Sequence, residues 1–168
     1  MAHKGRDRQK SSERVLHPLK REAERAERLR ELIVELAELN CREYGPVPVI
    51  VEGKRDRKAL LTLGFVGEII TYNQGKGVHD FCEGILESYS EVVLLMDWDR
   101  EGDALHKKLG RELKGHWEVF GRFREVLRLM CQKEVKDVEG LPALLRRLET
   151  GMVEESLIEP PKPNEGNS

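Results

Sequence analysis

The sequence lacks a long apolar segment, and it is poor in aromatic residues and cysteine. No apolar run approaches the roughly 18 residues that a membrane-spanning helix needs, so we predict no membrane partner. The first ten residues are polar and contain no apolar stretch of the kind found in secretion signals, so we expect a cytoplasmic protein. Aromatic residues make up only 5% of the chain, so the core must be built from aliphatic side chains.

The three cysteines, Cys41, Cys82 and Cys131, are odd in number and far apart in the sequence. Their spacing matches neither a disulfide framework nor a Cys-x-x-Cys site. We therefore expect three buried thiols in a reducing compartment.

Charged residues make up 36% of the chain, and their near-balance hides an asymmetry between its ends. Residues 1–30 carry ten Lys and Arg against five Asp and Glu, whereas residues 154–168 carry four Glu against one Lys. The basic head can bind phosphates, or it can be a solvated helix with paired charges, and both alternatives stay open. The acidic end, rich in Pro, Gly and Asn, predicts a disordered tail.

Hydrophobic periodicity predicts a long N-terminal helix ahead of a separate domain. Leu29, Leu32 and Ile33 belong to a pattern of helical spacing over residues 12–40. A stretch with Gly and Pro over residues 42–48 then indicates a linker. The predicted organisation is a basic helical extension (1–45), an α/β domain with C-terminal helices (46–150) and an acidic tail (151–168).

Short apolar runs alternate with helical segments after the linker. The predicted strands cover residues 47–51, 68–72, 91–96 and 117–120, and the predicted helices cover 56–63, 78–88, 103–113, 123–130 and 141–148. This alternation indicates a parallel sheet with right-handed crossovers, and the apolar first and third strands indicate that both faces are covered. The expected fold is α/β: a compact, doubly wound, Rossmann-like, parallel four-stranded sheet with an N-terminal helical extension.

Carboxylates follow the first and third predicted strands. Glu52 ends the first strand, and Asp97 and Asp99 end the third. In a parallel sheet these strand ends share the edge where ligands bind, and neighbouring carboxylates there repel one another unless a proton or a cation intervenes. A hard cation held by a few carboxylates, water and phosphate is typical of Mg²⁺.

The run from Asp97 to Glu101 places a carboxylate at every second position. In an extended segment Asp97, Asp99 and Glu101 would lie on one face, although a turn into a helix would move Glu101 away first. Gly53 and Gly102 would let the backbone turn tightly beside a ligand.

Two motifs together resemble the Toprim domain, which topoisomerases, bacterial primases, OLD-type nucleases and the maturation nuclease of 5S ribosomal RNA share. The first is VIVEGKRD at Val49–Asp56, and the second is DWDREG at Asp97–Gly102. The resemblance covers about residues 46–125. Either motif alone would be weak, and their joint occurrence after two predicted strands makes the signal strong.

The resemblance implies a Mg²⁺ site, with Mn²⁺ as an alternative ion, at Asp97 and Asp99. It adds Glu101 as a ligand, as in the similar Asp-x-Asp-Arg-Glu-Gly run of type IA topoisomerases. It also implies that Glu52 is a catalytic acid/base or a further metal ligand. No segment resembles the DNA gate, zinc module or ATPase of the larger enzymes. The chain is therefore similar to small stand-alone Toprim proteins, including archaeal ones, and to the catalytic half of the 5S maturation nuclease.

Several residues at the same predicted edge are candidate phosphate contacts. Lys54 would steady phosphate charge during catalysis, and Lys76 lies in the glycine-flanked loop over residues 73–77. The whole phosphate-binding set is Gly53, Lys54, Lys76, Arg100 and Gly102.

Other residues allow two interpretations each. Trp98 could stack on a base or pack in the core. A basic run, Arg122, Arg124 and Arg128, could be a binding face or a solvated helix face. We expect His79 and His106 to be exposed helix residues rather than ligands.

The motifs and their resemblance predict a Mg²⁺-dependent enzyme that acts on phosphodiester bonds of RNA or DNA as a nuclease. Nucleotidyl transfer from the same metal centre, as in primases, is the second interpretation. The third is a non-catalytic adaptor that binds nucleic acid or a ribonucleoprotein. The expected partner is nucleic acid, with ribonucleoprotein contact or self-association left open.

Overall fold

A three-stranded parallel sheet lies at the centre of the fold, with β1 between β2 and β3. The computed structural model describes residues 6–72 and 75–157. The strands are β1 (Val49–Val51), β2 (Ile69–Thr71) and β3 (Val93–Leu94). β1 pairs in parallel with both of its neighbours, so the carboxyl ends of all three strands meet at one edge.

Helices surround this sheet over the described part of the chain. The connection between β3 and the last helices also contains a short 3₁₀ helix, Glu118–Phe120. The α-helices are α1 (Arg6–Cys41), α2 (Lys54–Thr62), α3 (Val78–Ser88), α4 (Arg100–Glu112), α5 (Gly121–Cys131) and α6 (Leu141–Leu157). Within these residues no helix combines the length and the apolar character that crossing a bilayer requires.

The alternation of side chains along β1 divides the core into two layers. Val49 and Val51 pack with α1, α2, α5 and α6 on one face of the sheet. Ile50 packs with α3 and α4 on the other face. Successive strand residues point to opposite sides of a sheet, so the apolar side chains of β1 contact helices on both faces. The expected α/β class and the parallel sheet are therefore confirmed.

The second half of α1 belongs to the same core as the sheet. Leu29, Ile33 and Leu36 are buried in one cluster with Leu145 and Leu148 of α6. The predicted extension over residues 1–45 is thus packed against the domain from Ala26 onward. In this part of the helix Arg25 pairs with Glu134 and Arg30 with Glu149, so two charges of the basic head are neutralised within the protein.

The predicted fourth strand is wrong. Residues 118–120 form a 3₁₀ helix, and the sheet over the described residues has three strands. The chain reverses at Gly115, whose φ is +89°, and the Glu118 carboxylate accepts hydrogen bonds from the Gly115 N–H at 2.9 and 3.0 Å. Val119 is 76% exposed, so this short segment lies at the surface instead of adding a buried strand to the sheet.

One predicted boundary and one predicted burial also differ from the structure. Helix α6 continues to Leu157, past the predicted start of a disordered tail at residue 151, and residues 158–168 lie outside the described chain. Cys82 and Cys131 are buried free thiols as expected, whereas Cys41 is exposed at the end of α1. The exposed thiol is a correction to the expectation of three buried ones.

Candidate functional site

The structure brings Glu52 and Asp97 together at the carboxyl ends of β1 and β3. Because β1 and β3 are direct neighbours, the residues that follow them lie side by side. Glu52 Oε1 accepts a hydrogen bond from the backbone N–H of Asp97 at 3.2 Å. The predicted convergence of these two carboxylates is therefore present, and we call Glu52, Asp97 and Asp99 the strand-end cluster.

Asp99 immediately precedes α4, so the predicted extended run of carboxylates from Asp97 to Glu101 turns into a helix after its second carboxylate. Its Oδ1 accepts a hydrogen bond from the Gly102 N–H at 2.6 Å, which makes Asp99 the N-cap of the helix. The helix starts at Arg100, so Glu101 lies in its first turn and is exposed. The extended arrangement that would align Glu101 with the two aspartates therefore ends at Asp99.

Gly102 is the point of closest approach between α4 and the strand-end cluster. A Cβ at this position would collide with the Asp97 carbonyl oxygen and would lie 2.9 Å from Glu52 Oε1. Only glycine fits there, because the obstructing atoms include backbone that cannot move aside. Gly102, a predicted phosphate contact, thus has a packing role and donates its own N–H to Asp99.

Arg124 lies beneath the site and is not a surface residue. It is 5% exposed, and its Nε donates to the Met96 carbonyl at 2.8 Å while its Nη2 donates to the Asp97 carbonyl at 2.6 Å. Nη2 also contacts Asp103 Oδ1 at 2.7 Å. The interpretation of the 122–128 run as one binding face is therefore wrong, because Arg124 points inward, Arg122 pairs with Glu35 and Arg128 pairs with Glu125.

The segment before α6 contributes groups to the site that sequence reasoning missed. The Val138 N–H donates to Asp97 Oδ1 at 3.0 Å. Asp137 adds its negative charge near both Asp97 and Asp56. The acidic Asp137-x-Glu139 spacing just before α6 was the available signal, but nothing local in the sequence placed it against a strand 40 residues earlier.

Asp56 is a structural neighbour of the cluster. Its Oδ2 accepts a hydrogen bond from the Gly53 N–H at 3.0 Å, so Asp56 satisfies the backbone donor of the N-cap residue at the start of α2. Gly53 is a predicted phosphate contact, and in the structure its N–H is used by this hydrogen bond.

Burial and mutual repulsion raise the pKa values of two carboxyl groups in the site. Burial, followed by the charges of Asp56 and Glu52, raises the pKa of Asp97 to about 8. Burial, followed by the charges of Asp99 and Asp56, also raises the pKa of Glu52. The cluster therefore has a tendency to bind a proton or a cation, since either would relieve the repulsion.

The donor chemistry fits a hard cation, but the arrangement is not a closed cage. Carboxylate oxygens are the ligands that Mg²⁺ prefers, and Mg²⁺ is commonly held by one or two carboxylates together with water and substrate phosphate. In the described ranges no three His, Cys, Asp or Glu side chains surround one point as metal ligands. The site thus fits an open cation site completed by water or substrate.

The predicted cationic residues are exposed in segments that follow the strand ends. Lys54 is the exposed first residue of α2, and Lys76 is exposed in the loop after β2. Arg100 is exposed at the start of α4. Within the described part of the molecule no ion pair joins any of these three to a carboxylate of the protein. Asn73 and Gln74 of the same predicted loop lie outside the described residues.

Burial distinguishes the two interpretations of Trp98 and tests the expected exposure of His79 and His106. Trp98 is 6% exposed, and its Nε1 donates to the Val135 carbonyl at 2.7 Å, so it packs in the core and offers no face to a base. His79 is exposed as expected and lies beside Glu83 and Glu112. His106 is half-buried against Trp117, which corrects the expectation of an exposed residue.

No protein-family model matches the chain. The family is identified by comparison with individual proteins of similar sequence. The fold and the strand-end cluster define an α/β protein with an acidic sheet edge. A UPF0292 protein of Methanosarcina barkeri is 43% identical over 136 residues, which are 76% of this chain and 88% of that protein. A UPF0292 protein of Thermococcus onnurineus is 37% identical over 123 residues, or 73% and 86% of the two chains. The chain belongs to the UPF0292 family.

A solved structure supports the fold. A protein from Aquifex aeolicus shares 28% sequence identity with this chain and matches it with a TM-score of 0.51. The match covers 65% of this chain and 94% of the Aquifex protein. Neither the family name nor this structure's description states an activity, so the Toprim resemblance stays a prediction.

Proposed function

We propose that this protein is a Mg²⁺-dependent enzyme that hydrolyses phosphodiester bonds of RNA or DNA. The observation that carries the proposal is the meeting of Glu52 and Asp97 at adjacent strand ends, with Asp99 at the start of the next helix. In the described ranges no salt bridge joins Glu52, Asp97 or Asp99 to a basic side chain, and crowded carboxylates of this kind are a costly arrangement for folding alone. Perturbed carboxyl groups of this kind concentrate at functional sites.

Each residue of the cluster has a distinct proposed role. Asp97 and Asp99 would hold the cation, with Mn²⁺ as an alternative to Mg²⁺. When bound, the cation neutralises phosphate charge and makes a bound water more acidic. Glu52 would accept or donate the proton, since burial has already raised its pKa toward the range of a useful acid/base. Lys54, exposed at the start of α2, would contact phosphate.

The supporting residues keep this geometry rigid. Arg124 binds the carbonyls of Met96 and Asp97, and Val138 holds one oxygen of Asp97. The Asp97 side chain is thereby held on the protein side through Oδ1, while a carboxylate has a second oxygen for another ligand. Such positioning reduces the reorganisation that catalysis requires.

The test is hydrolysis of end-labelled RNA and DNA oligonucleotides with Mg²⁺ or Mn²⁺ and with chelator. We expect metal-dependent cleavage by the wild type and its loss in Asp97→Asn. The matched control is Asp80→Asn, which removes an exposed carboxylate in the first turn of α3. Metal-independent cleavage, or equal cleavage by wild type and Asp97→Asn, contradicts the proposal.

A second candidate is a non-catalytic nucleic-acid adaptor. The lack of three converging metal ligands among the described residues favours it, because a binding role needs no preformed catalytic metal centre. Wild-type protein that binds oligonucleotides but leaves them intact with either metal would support this candidate. Incorporation of labelled nucleotide in the same assay would indicate nucleotidyl transfer instead.

A further inference from the structure

We propose that a basic cleft beside the strand-end cluster binds the phosphates of a single nucleic-acid strand and guides it to Asp99. The cleft has a volume of about 620 Å³ and lies between the start of α4, the second half of α5 and the connection to α6. This inference rests on the proposed function, since it names where the substrate of that site would lie. We call this feature the α4–α5 cleft.

The charges of the α4–α5 cleft favour an anion. Its lining carries four cations against two carboxylates: Arg100, Arg128, Lys133, Lys136, Asp99 and Asp103. Asp103 is already neutralised by Arg124, and Arg128 by Glu125. Within the described ranges Arg100, Lys133 and Lys136 form no ion pair, so three positive charges remain against the single carboxylate of Asp99.

The segment that carries Lys133 and Lys136 is hydrogen-bonded to the chain just after β3. The positions of these two positive charges relative to the strand end are therefore fixed. The Lys136 carbonyl accepts a hydrogen bond from the Trp98 N–H at 2.9 Å. The Trp98 indole donates to the neighbouring Val135 carbonyl at 2.7 Å. Residues 135 and 136 are thereby tied to the residue between Asp97 and Asp99. A strand held by these lysines would pass directly along Asp99, which belongs to both the cleft and the cluster.

The same lining indicates that the backbone and not the bases would be recognised. Trp98 lines the cleft, but it is buried and its indole N–H is used by the protein. Arg and Lys contacts to phosphate position a strand without reading its sequence. We therefore expect binding that depends strongly on salt and weakly on base composition.

The experiment compares two double variants in a binding assay without metal. Lys133→Ala/Lys136→Ala removes the two cleft lysines, and Lys107→Ala/Lys108→Ala removes two exposed lysines of α4 outside the cleft. The probe is a fluorescently labelled single-stranded oligonucleotide of mixed sequence in chelator. We expect the cleft variant to weaken binding on the order of tenfold and to reduce the slope of log Kd against log salt by about 1.4, because each phosphate contact to a single strand contributes about 0.7. The control should change neither quantity.

The outcomes separate this inference from the proposed function. Equal binding by the wild type and the cleft variant, equal losses in both variants, or no binding by the wild type overturns the cleft. Cleft-dependent binding without any metal-dependent cleavage leaves the cleft supported and contradicts the nuclease. Metal-dependent cleavage with unchanged binding in the cleft variant supports the nuclease and overturns the cleft.

Discussion

Glu52 and Asp97, 45 residues apart in sequence, are joined by a hydrogen bond from the Asp97 N–H to Glu52 Oε1 at 3.2 Å. The bond links the ends of two neighbouring strands and places one carboxylate over the backbone of the other. Both pKa values are raised, chiefly by burial. The pair therefore makes the stability of this sheet edge sensitive to pH and to substitution.

The first prediction is that Asp97→Asn stabilises the metal-free protein increasingly as the pH rises. The pKa of Asp97 is about 8 in the folded state and near its usual 3.8 when unfolded, so the folded state binds the extra proton between these values. The contribution of Asp97 to wild-type stability must then fall as the pH rises from 3.8 to 8, and the variant lacks this contribution. Denaturant unfolding at several pH values, with Asp80→Asn as control, measures the difference. A gain that does not change with pH would refute the assignment.

The second prediction concerns the role of Glu52. If Glu52 is the acid/base, Glu52→Gln should lower turnover by roughly 10²–10⁴-fold while metal affinity changes little. If Glu52 is a metal ligand, excess Mg²⁺ should restore part of the activity. A titration of rate against Mg²⁺ distinguishes the two roles, and exposed Glu87 of α3 provides the control substitution Glu87→Gln. Rescue at high Mg²⁺ excludes the acid/base role.

The third prediction is that Gly102→Ala destabilises the protein by about 1–3 kcal/mol, the usual range for overpacking. The added Cβ collides with the Asp97 carbonyl, and it also displaces Glu52 Oε1. Gly84→Ala is the matched control, since a Cβ there meets no atom within 4 Å and the glycine is inside helix α3. That control should gain about 0.5–1 kcal/mol from helix propensity. Free energies of unfolding for both variants check the prediction, and equal values would show that the approach of α4 is not tight.

The fourth prediction is that Arg124→Met destabilises the protein and loosens Asp97. The substitution removes the donor from two buried carbonyls, those of Met96 and Asp97. Each buried acceptor left without a partner lowers the free energy of unfolding by about 1–3 kcal/mol. Arg124→Lys should recover little, because an ammonium group cannot reproduce the planar fork of a guanidinium. The exposed pair of Arg122 and Glu35 supplies the control Arg122→Met, for which we expect less than about 1 kcal/mol. Similar losses in both methionine variants would argue against the buried clamp.

The fifth prediction is that His106 makes the protein less stable in mild acid. Burial, followed by the charge of Arg124, lowers the pKa of His106 from its usual 6.5 to about 4. The unfolded chain therefore binds the extra proton between pH 6.5 and 4, and the contribution of His106 to stability falls as the pH decreases through this window. Relative to the wild type, His106→Phe should therefore gain stability as the pH decreases, whereas His79→Gln should not, because the hydrogen bond with Glu112 raises the pKa of His79 instead. Thermal unfolding at several pH values between 4 and 6.5 measures how stability depends on pH. The same dependence on pH in His106→Phe and in the wild type would refute the assignment.

The sequence by itself determined the parts of this protein that depend on local pattern. The apolar runs at Val49–Val51 and around Val93–Leu94 specified two strands covered on both faces, since only buried parallel strands tolerate such continuous hydrophobicity. Parallel strands must end at the same edge, so the pattern of strands alone led to the expectation that Glu52 and Asp97 meet.

Only the tertiary structure decided the features that depend on distant partners. The segment around Val119 has a short apolar run like that of a strand but folds as a 3₁₀ helix, and Arg124 has the sequence context of a surface cation but binds two buried carbonyls. Likewise Val138 donates to Asp97, 41 residues earlier in the chain, and no local pattern marks this contact. Hydrogen bonds, burial and the resulting pKa shifts arise from groups far apart in the sequence, and local propensity carries no information about which of those groups will meet.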